Sequence, residues 1–257
     1  MSERFEYFQE GVKMIKDPMG ERFKAYEKVS DHYLTRRVPV ILRVDGRAFH
    51  TVTRNMARPF DLTFMDAMVK TTFELCQEAQ GCKFAYVQSD EISLLLTDWD
   101  KLDTEGWFGY RINKMNSIAS CVAANTFYGY MGGNSVEFDS RAFSVPKEDV
   151  CNYFLWRQRD ATRNSISMVA QANFSHKELQ GLNSNQLQDK LFLERGINWN
   201  DLPGDQKRGT AIYKVEGKWY IDTEIPIFSQ DRNFIERWLH EKREECDDPG
   251  SKNPFRY

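Results

Sequence analysis

The sequence lacks the cysteine and histidine patterns that mark disulfide scaffolds and structural zinc sites. Its five cysteines are scattered and odd in number, and no two of them form a Cys-x-x-Cys pair. The four histidines are not spaced as metal ligands. Zinc ribbons and zinc fingers are therefore excluded. The cysteines are predicted to be free thiols of a cytoplasmic protein.

Long apolar runs and an excess of one charge are missing as well. No stretch approaches the roughly 20 apolar residues that span a membrane, and the polar residues 1–17 lack the apolar core of a signal peptide. The net charge of the 257-residue chain is −3, so a nucleic-acid partner would have to be bound by a local basic patch. We find no internal repeat and no flexible linker, and we expect one large domain.

What the chain does contain is an apolar run that ends in an acid. Residues 40–44 are mostly aliphatic, and Asp45-Gly46 follows them. Such a run predicts a strand buried on both faces, with the glycine turning the chain at its end. An acid placed there needs a partner, for which a metal ion is suitable, although Asp-Gly is also a common plain turn.

A second pair of apolar runs flanks the segment Gln88-Ser89-Asp90-Glu91, with no glycine or proline between them. This pattern predicts a tight hairpin with adjacent carboxylates at its tip. Because a helix-length segment separates the hairpin from Asp45, we expect Asp90 to join Asp45 at one edge of a sheet, with Glu91 nearby. Two carboxylates with open positions suit Mg²⁺, whereas the alternative is a solvated polar turn.

The order of the predicted elements fits an α+β fold. Strand, helix, hairpin, helix and strand follow one another over residues 38–145. This order predicts a ferredoxin-like, split βαβ antiparallel sheet with flanking helices, the scaffold of polymerase palm domains. We expect an N-terminal arm (1–19), this palm-like core (20–145), a helical and hairpin extension of the same domain (146–245) and a tail (246–257).

Caps, glycines and prolines predict where the helices begin and end. Long helices are expected at 20–35, 61–80, 106–130 and 146–174, the last of which can break near Asp160. Residues 199–208 are expected to form a loop, and 210–221 a hairpin. Trp156 is expected to lie in the core.

Several segments, in this order and spacing, resemble the histidine-tRNA guanylyltransferase family. Three of them are Arg43-Val44-Asp45-Gly46-Arg47-Ala48-Phe49-His50, Ala57-Arg58-Pro59-Phe60-Asp61 and Gln88-Ser89-Asp90-Glu91. The likeness continues in residues 107–124, Phe138-Asp139-Ser140-Arg141, Trp156-Arg157-Gln158-Arg159-Asp160 and Lys207-Arg208-Gly209-Thr210. It covers roughly residues 20–215, and the combination is more specific than any one segment.

Members of that family add nucleotides to the 5′ end of RNA, in the reverse of the usual direction, with two Mg²⁺ ions and nucleoside triphosphates such as GTP and ATP. The resemblance implies that Asp45, Asp90 and the carbonyl of Gly46 bind the metals and that Glu91, as a further catalytic residue, supports them. It also implies a nucleotide site formed by Asp45, Gly46, Arg47, Ala48, Phe49, His50, Arg58, Ser89, Asp90, Arg111 and Lys114. Arg58 stands where the family usually has a lysine, and an arginine pairs with phosphate but cannot donate a proton.

Basic and polar residues in the same segments are candidates for binding tRNA. Arg111 and Lys114 are three residues apart on a predicted helix and would share one face. The alternative is that this is an ordinary solvated helix face with no ligand. The candidate RNA contacts are Arg43, Arg141, Arg157, Asn164, Lys207 and Arg208.

One departure from the family pattern bears on the substrate. Eukaryotic members carry a His-Ile-Asn-Asn run where this chain has Thr162-Arg163-Asn164-Ser165. This run resembles the bacterial and archaeal like-protein branch, whose members repair truncated tRNA 5′ ends by templated addition. We therefore expect template-dependent repair, and the alternative is addition of a single G to histidine tRNA.

Two further hypotheses are weaker. A diguanylate-type cyclase is disfavoured because its Gly-Gly-Asp/Glu-Glu-Phe signature is absent. A non-catalytic RNA-binding protein is disfavoured by the intact Asp45 and Asp90. Because unpaired sheet edges tend to be covered, and because members of the resembled family are usually tetramers, we expect a homo-oligomer.

Overall fold

The computed structural model describes residues 17–133 and 136–240. The chain divides into two compact units, residues 1–32 and 33–257. Helix α1 (Pro18–Val29) belongs to the first unit, and every other element described below belongs to the second. The predicted tail, and all of the predicted arm except its last three residues, lie outside the described residues.

One antiparallel sheet of six strands occupies the described part of the second unit, in the order β4-β1-β3-β2-β5-β6. The strands are β1 (Val40–Arg47), β2 (Cys82–Gln88), β3 (Glu91–Leu96), β4 (Glu137–Ser144), β5 (Thr210–Val215) and β6 (Lys218–Asp222). The helices between β1 and β4 are α2 (Phe49–Val52), α3 (Leu62–Glu78) and α4 (Ile112–Tyr130). The order β4-β1-β3-β2, with α3 and α4 as connections, is that of the split βαβ fold. The predicted fold class is therefore confirmed.

The C-terminal part covers one face of this sheet and extends it. Its helices are α5 (Val150–Asn173), α6 (His176–Leu179), α7 (Ser184–Arg195), α8 (Gly204–Arg208) and α9 (Asn233–Glu236). Strand β5 pairs with β2, so the predicted hairpin 210–221 continues the sheet of the core.

Alternation along the strands divides the apolar side chains between two layers. On one face, Val40 and Leu42 pack in a cluster that includes residues of α3 and α4. On the other face, Ile41 and Leu95 pack with residues of α5 and of the C-terminal segment. The centre of β1 is thus buried on both faces, as its aliphatic sequence predicts.

Two predicted helices are shorter in the structure. The helix predicted at 20–35 ends at Val29. The helix predicted at 106–130 begins only at Ile112, because residues 108–110 all have positive φ values, which an α-helix does not allow.

The C-terminal helices also differ from the prediction. Helix α5 starts at Val150, after a 3₁₀ turn, and runs without a break past Asp160. Residues 199–208, predicted as a loop, contain the 3₁₀ turn Trp199–Asp201 and helix α8. Trp156 does not lie in the core, because it is on the exposed side of α5.

Among the described residues, no helix combines the length and the apolar character needed to cross a membrane. The four cysteines in that part of the chain are free thiols, as predicted. Cys76, Cys82 and Cys151 lie within the apolar clusters, so their contribution is to packing.

Candidate active site

Strand β1 does not end at the predicted Asp45-Gly46 turn. It continues to Arg47, and the chain turns at Ala48, whose φ is +56°. Glycine is needed at position 46 for another reason: a Cβ built there would lie 2.4 Å from a ring carbon of Phe49. The prediction of a turn at Asp45-Gly46 is therefore wrong, and Asp45 lies inside the strand, two residues before its end.

The predicted hairpin is present, with Ser89 and Asp90 as its two-residue turn. Ser89 adopts a φ of +50°, which a turn of this length requires. The register sets Glu91 directly opposite Asp45 of β1. The N–H of Gly46 donates a hydrogen bond of 3.0 Å to the carbonyl of Asp90. Three acids are thus brought to one end of the sheet.

A network of buried charges holds Glu91. Its carboxylate lies 2.7 Å from Nη2 of Arg43 and 2.8 Å from Nε of Arg157, although the latter N–H is not aligned for a hydrogen bond. Arg43 also donates to Asp45 at 2.7 Å, and Arg157 pairs with Asp160 at 2.7 Å. Burial raises the pKa of Glu91, and the two guanidinium groups oppose that shift. Helix α5 is thereby connected to the acids of β1 and β3.

Arg157, a predicted RNA contact, lies inside this network. Only 6% of its side chain is exposed, and its guanidinium lies 4.1 Å from the centre of the Trp156 ring. We therefore assign its charge to Glu91 and Asp160 instead of to RNA.

The surroundings of Asp90 suit a cation. Burial raises the pKa of its carboxyl, and the negative charge of Asp45 adds to that effect. A divalent cation would offset both, and carboxylate and carbonyl oxygens are the ligands that Mg²⁺ prefers. Within the described residues, no group of three or more His, Cys, Asp or Glu side chains has the arrangement of a metal site. A cation would therefore depend on two carboxylates, a backbone carbonyl such as that of Gly46, and substrate oxygens.

A cleft of about 540 Å³ opens beside the tip of the hairpin. Three parts of the chain form it: the segment from the end of β1 to the start of α3, the hairpin, and the C-terminal half of α5. Its lining consists of Gly46, Ala48, Phe49, His50, Thr53, Met56, Ala57, Arg58, Pro59, Asp61, Phe64, Ser89, Asp90, Met168, Gln171 and Ala172. The volume is that of a site for a small ligand of nucleotide size.

Known proteins resemble the chain over most of its length. The family profile described as "Thg1: tRNAHis guanylyltransferase" matches residues 20–146. The solved structure of a bacterial tRNA(His) guanylyltransferase (Thg1)-like protein in complex with ATP is 47% identical, with a TM-score of 0.84, and the match covers 86% of this chain and 99% of that chain. The chain belongs to the tRNA(His) guanylyltransferase family.

Two other members of the family support this assignment. A bacterial Thg1-like protein in complex with GTP is 43% identical, with a TM-score of 0.79 and coverage of 87% of this chain and 100% of that chain. The tRNA(His) guanylyltransferase of Kluyveromyces lactis is 30% identical over 199 residues, 67% of this chain and 81% of that protein. The predicted resemblance is confirmed, and the chain is by family a nucleotidyltransferase.

Seven of the nucleotide contacts that the family resemblance implies line the cleft. They are Gly46, Ala48, Phe49, His50, Arg58, Ser89 and Asp90. Asp61 positions the loop that carries Arg58, because its carboxylate accepts hydrogen bonds from the N–H groups of Phe64 (2.9 Å) and Ala57 (3.0 Å). These bonds hold the pKa of Asp61 below its usual value.

The other four implied contacts are outside the cleft lining, and they are Asp45, Arg47, Arg111 and Lys114. Arg47 pairs with an acid of β4. Arg111 is not inside the helix as predicted, since it precedes α4 in extended conformation and its Nε donates to the hydroxyl of Tyr33 at 3.1 Å. Lys114 lies 4.6 Å from the centre of the Phe108 ring. Arg111 is therefore the N-cap residue of α4, and Lys114 lies in the first turn of that helix.

The remaining RNA candidates are spread over helices α5 and α8 and strands β1 and β4. Asn164 and Lys207 line a second cavity of about 70 Å³ that adjoins it. Lys207 and Arg208 each donate to a backbone carbonyl, at 2.6 Å and 3.2 Å. Arg141 of β4 lies opposite Arg43 in the sheet register.

Sequence reasoning missed the wall that α5 contributes to the cleft. Met168, Gln171 and Ala172 line it, yet they belong to no motif with a chemical signature. Only the packing of α5 over the sheet brings them to the hairpin tip, and residue spacing carries no signal of that packing.

Proposed function

We propose that this protein adds nucleotides to the 5′ end of truncated tRNA in the 3′–5′ direction, in the cytoplasm, after the 5′ end has been activated by a nucleoside triphosphate. The observation that carries the proposal is the cleft, in which Asp90, Arg58 and the turn after β1 meet. The chain's membership of this family supports it. The bacterial Thg1-like structures in complex with ATP and GTP support a nucleoside triphosphate as the ligand.

The acids of the site fit a requirement for Mg²⁺. Asp45, Asp90 and the carbonyl of Gly46 would hold two ions, and Glu91 would support them. Such ions align an attacking oxygen and neutralise charge on the leaving group. The protein's own contribution is positional: the pairing of β1 with β3 fixes the acids, and Arg43 orients the carboxylate of Asp45.

Two observations favour templated repair over addition of a single G. Identity is higher to the bacterial Thg1-like proteins than to the guanylyltransferase of Kluyveromyces lactis. In addition, part of the run 162–165 serves internal packing: the Ser165 hydroxyl accepts a 3.0 Å hydrogen bond from Nε1 of Trp199, and the Thr162 hydroxyl donates to the carbonyl of Lys207 at 3.5 Å. We therefore expect an opposing base, rather than these side chains, to select the nucleotide.

The test uses a truncated non-histidine tRNA with each of the four bases opposite the missing nucleotide. Labelled nucleoside triphosphates are supplied one at a time, and product length is measured on a gel. We expect addition of the complementary nucleotide in each case, because pairing places the incoming triphosphate in line with the activated 5′ end. Changing the anticodon should have little effect.

Two outcomes would replace this proposal. Addition of G whatever the opposing base, or dependence on a histidine anticodon, would establish the single-G alternative. Binding of tRNA with no addition of any nucleotide would favour a non-catalytic RNA-binding protein.

Arg111 and Lys114 are proposed to bind triphosphate. Replacing either with alanine should raise the KM for nucleotide or tRNA, or lower kcat, by about 10- to 150-fold, because a hydrogen bond between charged groups contributes roughly 1.5–3 kcal/mol. Lys70→Ala is the matched control, since Lys70 also lies over an aromatic ring, that of Tyr130 at 5.0 Å. Wild-type kinetics in both alanine variants would make the pair an ordinary solvated surface.

The protein is also proposed to work as a homo-oligomer, as a tetramer in our expectation. In the described residues, β4 and β6 are the outer strands of the sheet, and an outer strand leaves backbone groups free to pair. Light scattering at working concentration should give a mass above that of one chain. A monodisperse monomer would refute the expectation.

A further inference from the structure

Trp156 is a large aromatic residue that the fold leaves exposed. Half of it (50%) is accessible, although Leu155 and Arg157 on either side of it are buried. Isolated exposed apolar residues are common on proteins, so exposure alone assigns no role to Trp156. The contacts that hold its ring in place do suggest one.

The ring is fixed on one face and one edge. The guanidinium of Arg157 lies over it at 4.1 Å and is itself held by Glu91 and Asp160. The ring of Tyr153 meets Trp156 at 6.0 Å and 69°, and the Tyr153 hydroxyl is hydrogen-bonded to that of Ser93 at 2.8 Å. A ring that is held in this way presents its other face in a fixed orientation.

The Trp156 ring borders an open part of the sheet. Side-chain exposure on this sheet face rises from 5% at Glu91 of β3, through 29% at Asp45 of β1, to 58% at Asp139 of β4. Helix α5 therefore covers the centre of the face and leaves the side of β1 and β4 accessible. Trp156 lies on that side, because its neighbour Tyr153 packs against Phe143 of β4 at 5.9 Å.

The surface around Trp156 is rich in arginine. Arg159 and Arg163 are exposed three and seven residues further along α5, so they share its solvent face. Arg163 pairs with Asp160, and Arg141 on β4 pairs with Asp139. The same stripe of α5 continues to Gln171 in the lining of the cleft, about 22 Å along the helix axis.

We propose that Trp156 is a stacking platform for an unpaired nucleobase of the RNA substrate, held beside the acids of β1 and β3. An aromatic face set among arginines is the usual surface for single-stranded RNA, because every base can stack on it while the arginines contact phosphates. The proposal rests on the proposed function, since it names the part of the RNA that this side of the site binds.

The test compares three substitutions at one position. Trp156→Ala and Trp156→Leu should raise the Kd for truncated tRNA about 5- to 100-fold, because both remove the aromatic face. Trp156→Phe should keep the Kd within about threefold, and the KM for nucleotide should stay constant in all three. Tyr130→Ala is the matched control: Tyr130 is 46% exposed on α4 and has Lys70 over its ring.

The readouts separate this proposal from the proposed function. Binding that needs an aromatic residue at 156, without any nucleotide addition, would support the platform and overturn the repair activity. Normal addition with an unchanged Kd in Trp156→Ala would overturn the platform alone. A Kd that is wild-type in Trp156→Leu but raised in Trp156→Ala would show an apolar contact and would also overturn the stacking role. Melting temperatures exclude variants that do not fold.

Discussion

Replacing Asp45 or Asp90 with asparagine is expected to lower nucleotidyl transfer by about 10²- to 10³-fold or more, because the charge that stabilises the transition state is lost. Asparagine keeps the size of the side chain and an acceptor oxygen. Arg43, which donates to Asp45 at 2.7 Å, therefore retains a partner. The measurement is single-turnover addition to truncated tRNA. Binding of Mn²⁺, followed by electron paramagnetic resonance, is a second readout that does not depend on activity.

The matched control for these variants is Asp66→Asn. It removes an acid of the same type from the exposed side of α3, where Asp66 pairs with Lys70 at 2.6 Å. Transfer and Mn²⁺ binding should be unchanged in this control. Near wild-type turnover in either Asp45→Asn or Asp90→Asn, in a protein with a normal melting temperature, would remove the metal assignment from these acids.

The parts of this site that are built from local signals could be predicted from the sequence. Alternating burial gives the strands, and the two-residue turn at Ser89-Asp90 needs only its flanking apolar runs. The cap of α3 is likewise local, since Asp61 accepts from the N–H three residues later. The element order then restricts the topology to a few possibilities, among them the observed one.

What could not be predicted depends on tertiary contacts and on unusual backbone conformations. Asp45-Gly46 has the composition of a turn, but the glycine is required by the ring of Phe49 packed against it, and the strand continues to Arg47 through its pairing with β4. Helical spacing placed Arg111 on α4, but the positive φ values of residues 108–110 delay the helix until Ile112. Residue periodicity encodes neither of these features.

The charge partners of Glu91 illustrate the same limit. Arg43 is on the neighbouring strand, whereas Arg157 comes from α5, far along the chain. In the sequence, Arg157 has the appearance of a cationic RNA contact in a Trp-Arg-Gln motif. In the structure, Arg157 is one of two arginines that pair with the buried carboxylate of Glu91, so its loss would leave that carboxylate with Arg43 as its one cationic partner among those two.

Arg157→Met is therefore expected to lower the free energy of unfolding by about 3–5 kcal/mol, the usual cost of removing one partner of a buried ion pair. Methionine fills a similar volume, so the loss reports the charge and not a cavity. Both Glu91 and Asp160 lose a guanidinium at 2.8 Å and 2.7 Å. Urea denaturation of both proteins at pH 8 measures the difference.

Arg163→Met is the control, because Arg163 pairs with the same Asp160 from a position that is 65% exposed. Exposed pairs contribute about 0–1 kcal/mol, so this variant should be nearly as stable as the wild type.

The loss of stability in Arg157→Met should also shrink as the pH falls. Burial already raises the pKa of Glu91 in the folded protein, and removal of Arg157 raises it further. The folded state then binds a proton more tightly than the unfolded state does, so lowering the pH stabilises the variant relative to the wild type. Equal losses in Arg157→Met and Arg163→Met, or a difference that does not change with pH, would show that the network does not hold α5 against the acids.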